Sequence, residues 1–169
     1  MRRTRSKTHP GASKPRESSS NKPSRRDPYT TKAKHAEPSV CGTCGLSYRA
    51  GRWVRGRGGA AQAKRVTCPA CQRVKDRYPA GIVKLSGAYL REHREEIEHQ
   101  IRHVEQREGR NHPLKRVMDM RAIRGGLEVT TTDAKLARAI GIALRHAHHG
   151  ELDYDWSEVE SVMRVSWKR

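Results

Sequence analysis

Apolar residues along the chain fall into short patterned stretches, and the period of each stretch predicts an element. In Gly87 to Glu108, "GAYLREHREEIEHQIRHVEQRE", Leu90, Ile97, Ile101 and Val104 recur at helical spacing and form a thin stripe. Opposite charges four apart (Arg91–Glu95, Arg94–Glu98 and, in the reverse sense, Glu98–Arg102) support that helix, and Gly109 reads as the residue just past its end. "NHPLKRVMDMRAI" predicts another helix, opened by Asn111 as N-cap and Pro113 in the first turn, with Leu114, Val117 and Met118 facing one way. A two-glycine turn and a β-rich run predict a strand over 127–131. The Thr/Asp cluster 131–133 then caps a helix over "AKLARAIGIALRHAHH", whose Leu136, Ile140, Ala143, Leu144 and Ala147 share a face, with Gly150 ending it. Period-two alternation returns in "ELDYDW" and "VMRVSW". Leu152, Tyr154 and Trp156 line one face of the first, Met163, Val165 and Trp167 one face of the second, as in an antiparallel hairpin.

The first half lacks this regularity. Residues 1–38 are Lys, Arg, Ser, Thr and Pro with almost nothing to bury, and read as a disordered basic tail. Residues 39–80 hold all four cysteines, and "GIVKLS" (81–86) is β-branched, a strand or extended connector. The expected organisation is α+β: tail 1–38, cysteine module 39–80, helical connector 81–126 and a small β-α-β-β domain over 127–169.

Charge sharpens this division. Net charge is +18, hydrophobic content is 34%, and phenylalanine is absent. Residues 1–40 carry 11 Lys and Arg against 3 Asp and Glu, and residues 41–80 carry 9 against 1, so the first 80 residues hold +16 of the total. Residues 129–169 are balanced, 6 against 6. A basic surface attached to an ordinary globular part points to a polyanionic partner, nucleic acid before an anionic membrane. No apolar run approaches the roughly 20 residues that span a bilayer. The first residues lack the apolar segment of a secretory signal, so a cytoplasmic location is expected.

Cys41-x2-Cys44 and Cys68-x2-Cys71 are separated by 23 residues. Each pair turns tightly enough to aim two thiolates at one point, and two such knuckles joined by a hairpin make the four-sulfur tetrahedron of a zinc ribbon. In reduced surroundings paired CxxC motifs bind metal more often than they form disulfides. One structural Zn²⁺ on Cys41, Cys44, Cys68 and Cys71 is therefore expected, with zinc preferred to iron. "SYRAGRWVR" and "KRVTC" are the expected hairpin strands and the glycine-rich "GRGGAA" their connecting tip. Few apolar residues (Leu46, Tyr48, Trp53, Val54 and Val66) remain for a core, so the metal has to organise the module.

Arg49, Arg52, Arg55, Arg57, Lys64, Arg65, Arg73, Lys75 and Arg77 decorate this module, with Tyr48, Trp53 and Tyr78 interleaved. Guanidinium forks grip phosphates and aromatic rings stack on unpaired bases, so these cations and Tyr48 are the candidate nucleic-acid contacts, while Trp53 reads as core. His99-x3-His103 sits one helical turn apart without an evident third ligand and reads as an exposed helix face. "HAHH" (146–149) suits a helix C-terminus, and "TTTD" suits an N-cap. No phosphate-binding loop, GxSxG or dinucleotide fingerprint is present, and neither an enzyme nor a small-molecule substrate is expected.

The segments "CGTCG", "CPACQRVKDRYPAGIVKLSG", "NHPLKRVM" and "VTTTDAKLARAIGIALRHAHHGELDYDW…VMRVSWKR" resemble a family of small bacterial zinc-ribbon proteins without assigned function, over roughly residues 38–169. More faintly, the paired CxxC motifs and element order are similar to the N-terminal zinc region of the large-ribosomal-subunit export adaptors, the nonsense-mediated-decay type. That likeness implies contact with ribosomal RNA and protein, with Cys41, Cys44, Cys68 and Cys71 as zinc ligands. Those adaptors carry more CxxC pairs than the two found here. The sequence thus supports an RNA-binding, ribosome-associated protein first. A DNA-binding regulator, or a protein-interaction adaptor acting through residues 129–169, are the alternatives.

Overall fold

The computed structural model describes residues 27–29, 35–56 and 62–169. Most of the expected basic tail, Arg57 and most of the "GRGGAA" tip lie outside the described residues. The described chain is α+β and builds two sheets.

The small sheet has the order β3-β2-β1-β4, from β1 (Ser39–Cys41), β2 (Ser47–Arg49), β3 (Arg52–Val54) and β4 (Lys64–Val66). The expected hairpin between "SYRAGRWVR" and "KRVTC" is corrected here. The first of these segments folds on itself: β2 and β3 pair antiparallel, Tyr48 with Trp53 and Arg49 with Arg52, around a two-residue turn. Ala50 (φ 47°) and Gly51 (φ 73°) both adopt positive φ, the requirement of the type I′ turn that matches strand twist. β4 instead runs parallel to β1, and helix α1 (Pro69–Asp76) follows it.

The second sheet has the order β6-β7-β5-β9-β8. β5 (Gly81–Ser86) lies at its centre, antiparallel to β7 (Gly126–Thr131) and parallel to β9 (Val162–Lys168), with β6 (Val117–Ile123) and β8 (Glu151–Ser157) at the edges. β5, the following helices and β6 make a split β-α-β unit into which β7 is inserted. The helix expected from Gly87 is broken at His93 into α2 (Ala88–Glu92) and α3 (Arg94–Asn111), and Arg94 and Glu98 pair at 2.8 Å on α3. Gly109 does not end α3; it is buried inside the last turn. The helix expected from Asn111 is also corrected: Asn111 closes α3, and Val117–Ile123 is a strand. Its partner decides this, because the two-residue turn Arg124–Gly125 (φ 77° at Gly125) folds the run back against β7, Ile123 opposite Gly126.

Helix α4 (Ala134–His148) begins where Asp133 accepts a hydrogen bond from the Leu136 amide at 3.0 Å, and it buries Leu136, Ile140 and Leu144. It lies so close to the sheet that a Cβ on Gly141 would sit 2.7 Å from Val165 and 2.8 Å from Leu152. The C-terminal hairpin has the expected faces, with Leu152 opposite Trp167, Tyr154 opposite Val165 and Trp156 opposite Met163. Ile97, Ile101 and Val104 of α3 join Val83, Leu85, Leu127, Val129 and the α4 residues in one apolar core on the helix-covered side of the sheet. No helix among the described residues is long and apolar enough to cross a membrane.

Candidate metal centre

The parallel register places Val40 beside Arg65 and Cys41 beside Val66, so both cysteine pairs leave the sheet from the same end of neighbouring strands. At the first, Gly45 (φ 73°) lets the chain turn back, its amide donating to the Cys41 carbonyl at 2.9 Å. At the second, Cys68 is the N-cap of α1 and Pro69 opens the helix, where a missing amide hydrogen costs nothing. The Cys71 amide donates to the Cys68 sulfur at 3.4 Å, and the Cys68 amide donates to the Cys41 sulfur at 3.4 Å.

All four sulfurs lie within 4.8 Å of one another, and those of Cys44 and Cys68 are 3.7 Å apart. A tetrahedron with metal–sulfur bonds of about 2.3 Å has edges of about 3.8 Å, so the sulfurs are spaced to share one metal ion. Cys41, Cys68 and Cys71 are buried and Cys44 is half-buried. Burial pushes the thiols of Cys68 and Cys71 up. Burial also opposes ionisation of Cys41, yet amide hydrogens of Cys68, Cys44 and Thr43 more than offset it and lower this thiol to about 6. A cation at the centre would stabilise all four thiolates.

One residue of this centre was not foreseen. Arg116, between α3 and β6, points its guanidinium into the sulfur cluster. Nη2 donates to Cys44 at 3.1 Å and Nη1 to Cys71 at 3.5 Å, while Nη2 lies 3.9 Å from Cys68. Desolvation opposes the half-buried guanidinium, but Cys44 and the other sulfurs outweigh it and raise the group further above its already high value. Four thiolates around a divalent ion would leave a net double negative charge, and Arg116 would neutralise part of it in a partly desolvated place. Its loop is held on three sides. Lys115 pairs with Glu108 at 2.8 Å, and the Val117 amide donates to Glu105 at 2.8 Å. The Arg116 amide donates to the Thr132 hydroxyl at 2.8 Å, and that hydroxyl donates to the Leu114 carbonyl at 2.6 Å. Within "TTTD", Asp133 therefore caps α4 while Thr132 secures the loop that carries Arg116. Leu114 packs on the module core that includes Tyr48 and Trp53, so the loop before β6 joins the metal centre to the rest of the chain.

The candidate nucleic-acid contacts divide by exposure. Arg49, Arg52, Arg55, Lys64, Arg65, Lys75 and Arg77 are exposed. Arg73 and Tyr48 are buried, at 4% and 6% exposure, and are not on that surface. Arg73 pairs with both oxygens of Asp27 at 2.5 Å, beneath the Tyr29 ring, whereas Tyr48 packs against Trp53 and His35. Arg57 lies outside the described residues. Trp53 is core, as its pattern suggests. His99 and His103 are exposed, and among the described residues the four cysteines form the one group of three or more His, Cys, Asp or Glu placed to share an ion. The chain matches no protein-family model, no curated protein and no solved structure.

Proposed function

We propose that this protein is a non-enzymatic RNA-binding protein of the cytosol, whose basic module is folded around one structural Zn²⁺ and grips the phosphates of ribosomal RNA. Zinc suits four thiolates in a closed tetrahedron, and four protein ligands leave no open position to activate water. The observation that carries the reading is the uneven availability of charge on the module. Among the described residues of the module, seven Lys and Arg are exposed. The acidic groups beside them are engaged within the protein: Asp76 accepts from Tyr29 and Gln72, and Glu37 accepts from the β2–β3 turn. Such a surface attracts a polyanion.

RNA is favoured over duplex DNA by the position of α1. Helices that read the major groove insert their N-terminal residues, whereas the N-terminus of α1 is closed into the metal centre by Cys68 and Cys71. The exposed arginines on strands and turns suit backbone and shape recognition of a folded RNA. The faint resemblance of the paired CxxC motifs and element order to ribosomal export adaptors is what supports a ribosomal partner.

Binding of a structured ribosomal RNA, with duplex DNA as competitor, tests this reading across a salt series. With four or more phosphates neutralised, log affinity falls against log salt with a slope of about −3 or steeper. RNA should win the competition, and in a sedimented lysate the protein should leave the ribosomal fractions at high salt. Affinity for ribosomal RNA that barely changes between low and moderate salt contradicts the proposal.

A further inference from the structure

We infer that the β2–β3 turn, Arg49-Ala50-Gly51-Arg52, is a seat for one phosphodiester group of the bound polynucleotide, occupied in the free protein by the carboxylate of Glu37. This rests on the nucleic-acid reading above and locates one contact within it. The Ala50 amide donates to Glu37 Oε2 and the Gly51 amide to Glu37 Oε1, each at 2.9 Å. Two successive backbone amides aimed at the two oxygens of one anion form the concavity that proteins use for phosphate, and a phosphodiester offers two non-bridging oxygens to the same pair.

Side-chain charge supplies an independent reason. Arg49 and Arg52 are directly opposite one another in the ladder and both are exposed. Like charges in that relation repel and destabilise a hairpin unless an anion lies between or beside them. The Glu37 carboxylate sits on the amides of the turn that these two arginines flank, and a phosphate group seated there would bring an anion between them.

The exchange is feasible because Glu37 is exposed. Asp27, the other described carboxylate ahead of β1, behaves differently: its partner Arg73 is 5% exposed at the side chain, and removing Asp27 would leave a charge buried without its counter-ion. Asp27 therefore anchors to α1, while the Glu37 carboxylate lies exposed at the turn, where a polyanion can compete with it for the two amides. The internal carboxylate lowers the apparent phosphate affinity by the fraction of molecules in which it occupies the turn.

Titration of the full-length, metal-loaded protein with inorganic phosphate, followed through the amide resonances of Ala50 and Gly51, tests the seat without RNA. In the Glu37→Ala variant both resonances should move and saturate at phosphate concentrations roughly threefold or more below those needed for the wild type. Arg49→Ala or Arg52→Ala in that background should raise the required concentration again. Retained metal stoichiometry and unchanged resonances from β5 to β9 verify that each variant is folded. Turn amides that ignore phosphate in Glu37→Ala, or follow it identically in both proteins, overturn the inference. A parallel titration with ribosomal RNA separates the two claims. Salt-dependent RNA binding that leaves the turn amides unmoved removes the seat and keeps the function. A phosphate response without RNA binding does the reverse.

Discussion

Among the described residues, the small sheet and α1 gather seven buried side chains into their core, and three of these are cysteines of the candidate metal centre; the five-stranded sheet and its helices gather sixteen, with Trp167, Leu85, Ile97, Ile101 and Leu144 fully enclosed. The smaller region spans about forty residues, a size at which burial alone rarely sustains a fold and a metal or disulfides usually contribute. The larger region follows the ordinary route, a helix layer on a half-covered sheet. One chain thus contains a part built around four clustered cysteines that could hold a metal ion and a part held by apolar packing, joined where Arg116 of the second touches the sulfurs of the first. The basic surface belongs to the part built around the cysteines, so under the proposed function metal occupancy should govern polyanion binding while leaving the larger core intact.

The comparison breaks most decisively at the cysteines. Structural zinc contributes on the order of 10–16 kcal/mol of apparent binding energy in small modules, so Cys68→Ser or chelation should unfold residues 39–76 and abolish RNA binding, read by amide exchange and by a binding assay. Conversely, Ile101→Ala should cost about 2–5 kcal/mol in denaturant unfolding of the five-stranded region, with metal still bound in native conditions. Arg116→Ala addresses the junction. Loss of an outer-shell partner should weaken metal affinity about 10- to 100-fold in a chelator competition, and Arg116→Lys should restore part of it through charge alone.

Smaller effects sharpen the picture within the larger region. Asp133→Ala removes the cap of α4 and should cost about 1 kcal/mol of thermal or denaturant stability. Lys115 holds the Glu108 carboxyl below its ordinary value, chiefly by their hydrogen bond. Stability from that pair is full above the ordinary carboxylate range and disappears as pH falls through the depressed value. Lys115→Met should therefore lose less than about 1 kcal/mol at neutral pH and show a shallower acid limb in a pH series of unfolding.

Legibility in sequence follows the same division. α4 and the β8–β9 hairpin read directly, because each has an uninterrupted period and its own start and stop residues. The gathering of the four cysteines reads directly as well, since the CxxC spacing is local. Residues 111–123 misled because Asn111 and Pro113 imitate a helix start and Leu114, Val117 and Met118 fit a helical face; the competing signal, a two-residue turn at Arg124–Gly125, needed β7 as a partner. The parallel pairing of β1 with β4 and the burial of Arg73 depend on contacts distant in sequence, so nothing local marks them. Arg116 is the extreme case. It sits in "LKRVM" like any surface cation, and only the fold carries it to the sulfurs.

Amide exchange of the full-length, reduced protein before and after metal removal by a strong chelator tests the central claim most directly. The account predicts one bound metal ion per chain, with protection of residues 39–76 lost on its removal while the slowest amides of β5, β7, β9 and α4 stay protected. A metal-free protein with residues 39–76 already protected, or a chelated protein whose two regions lose protection together, would contradict it.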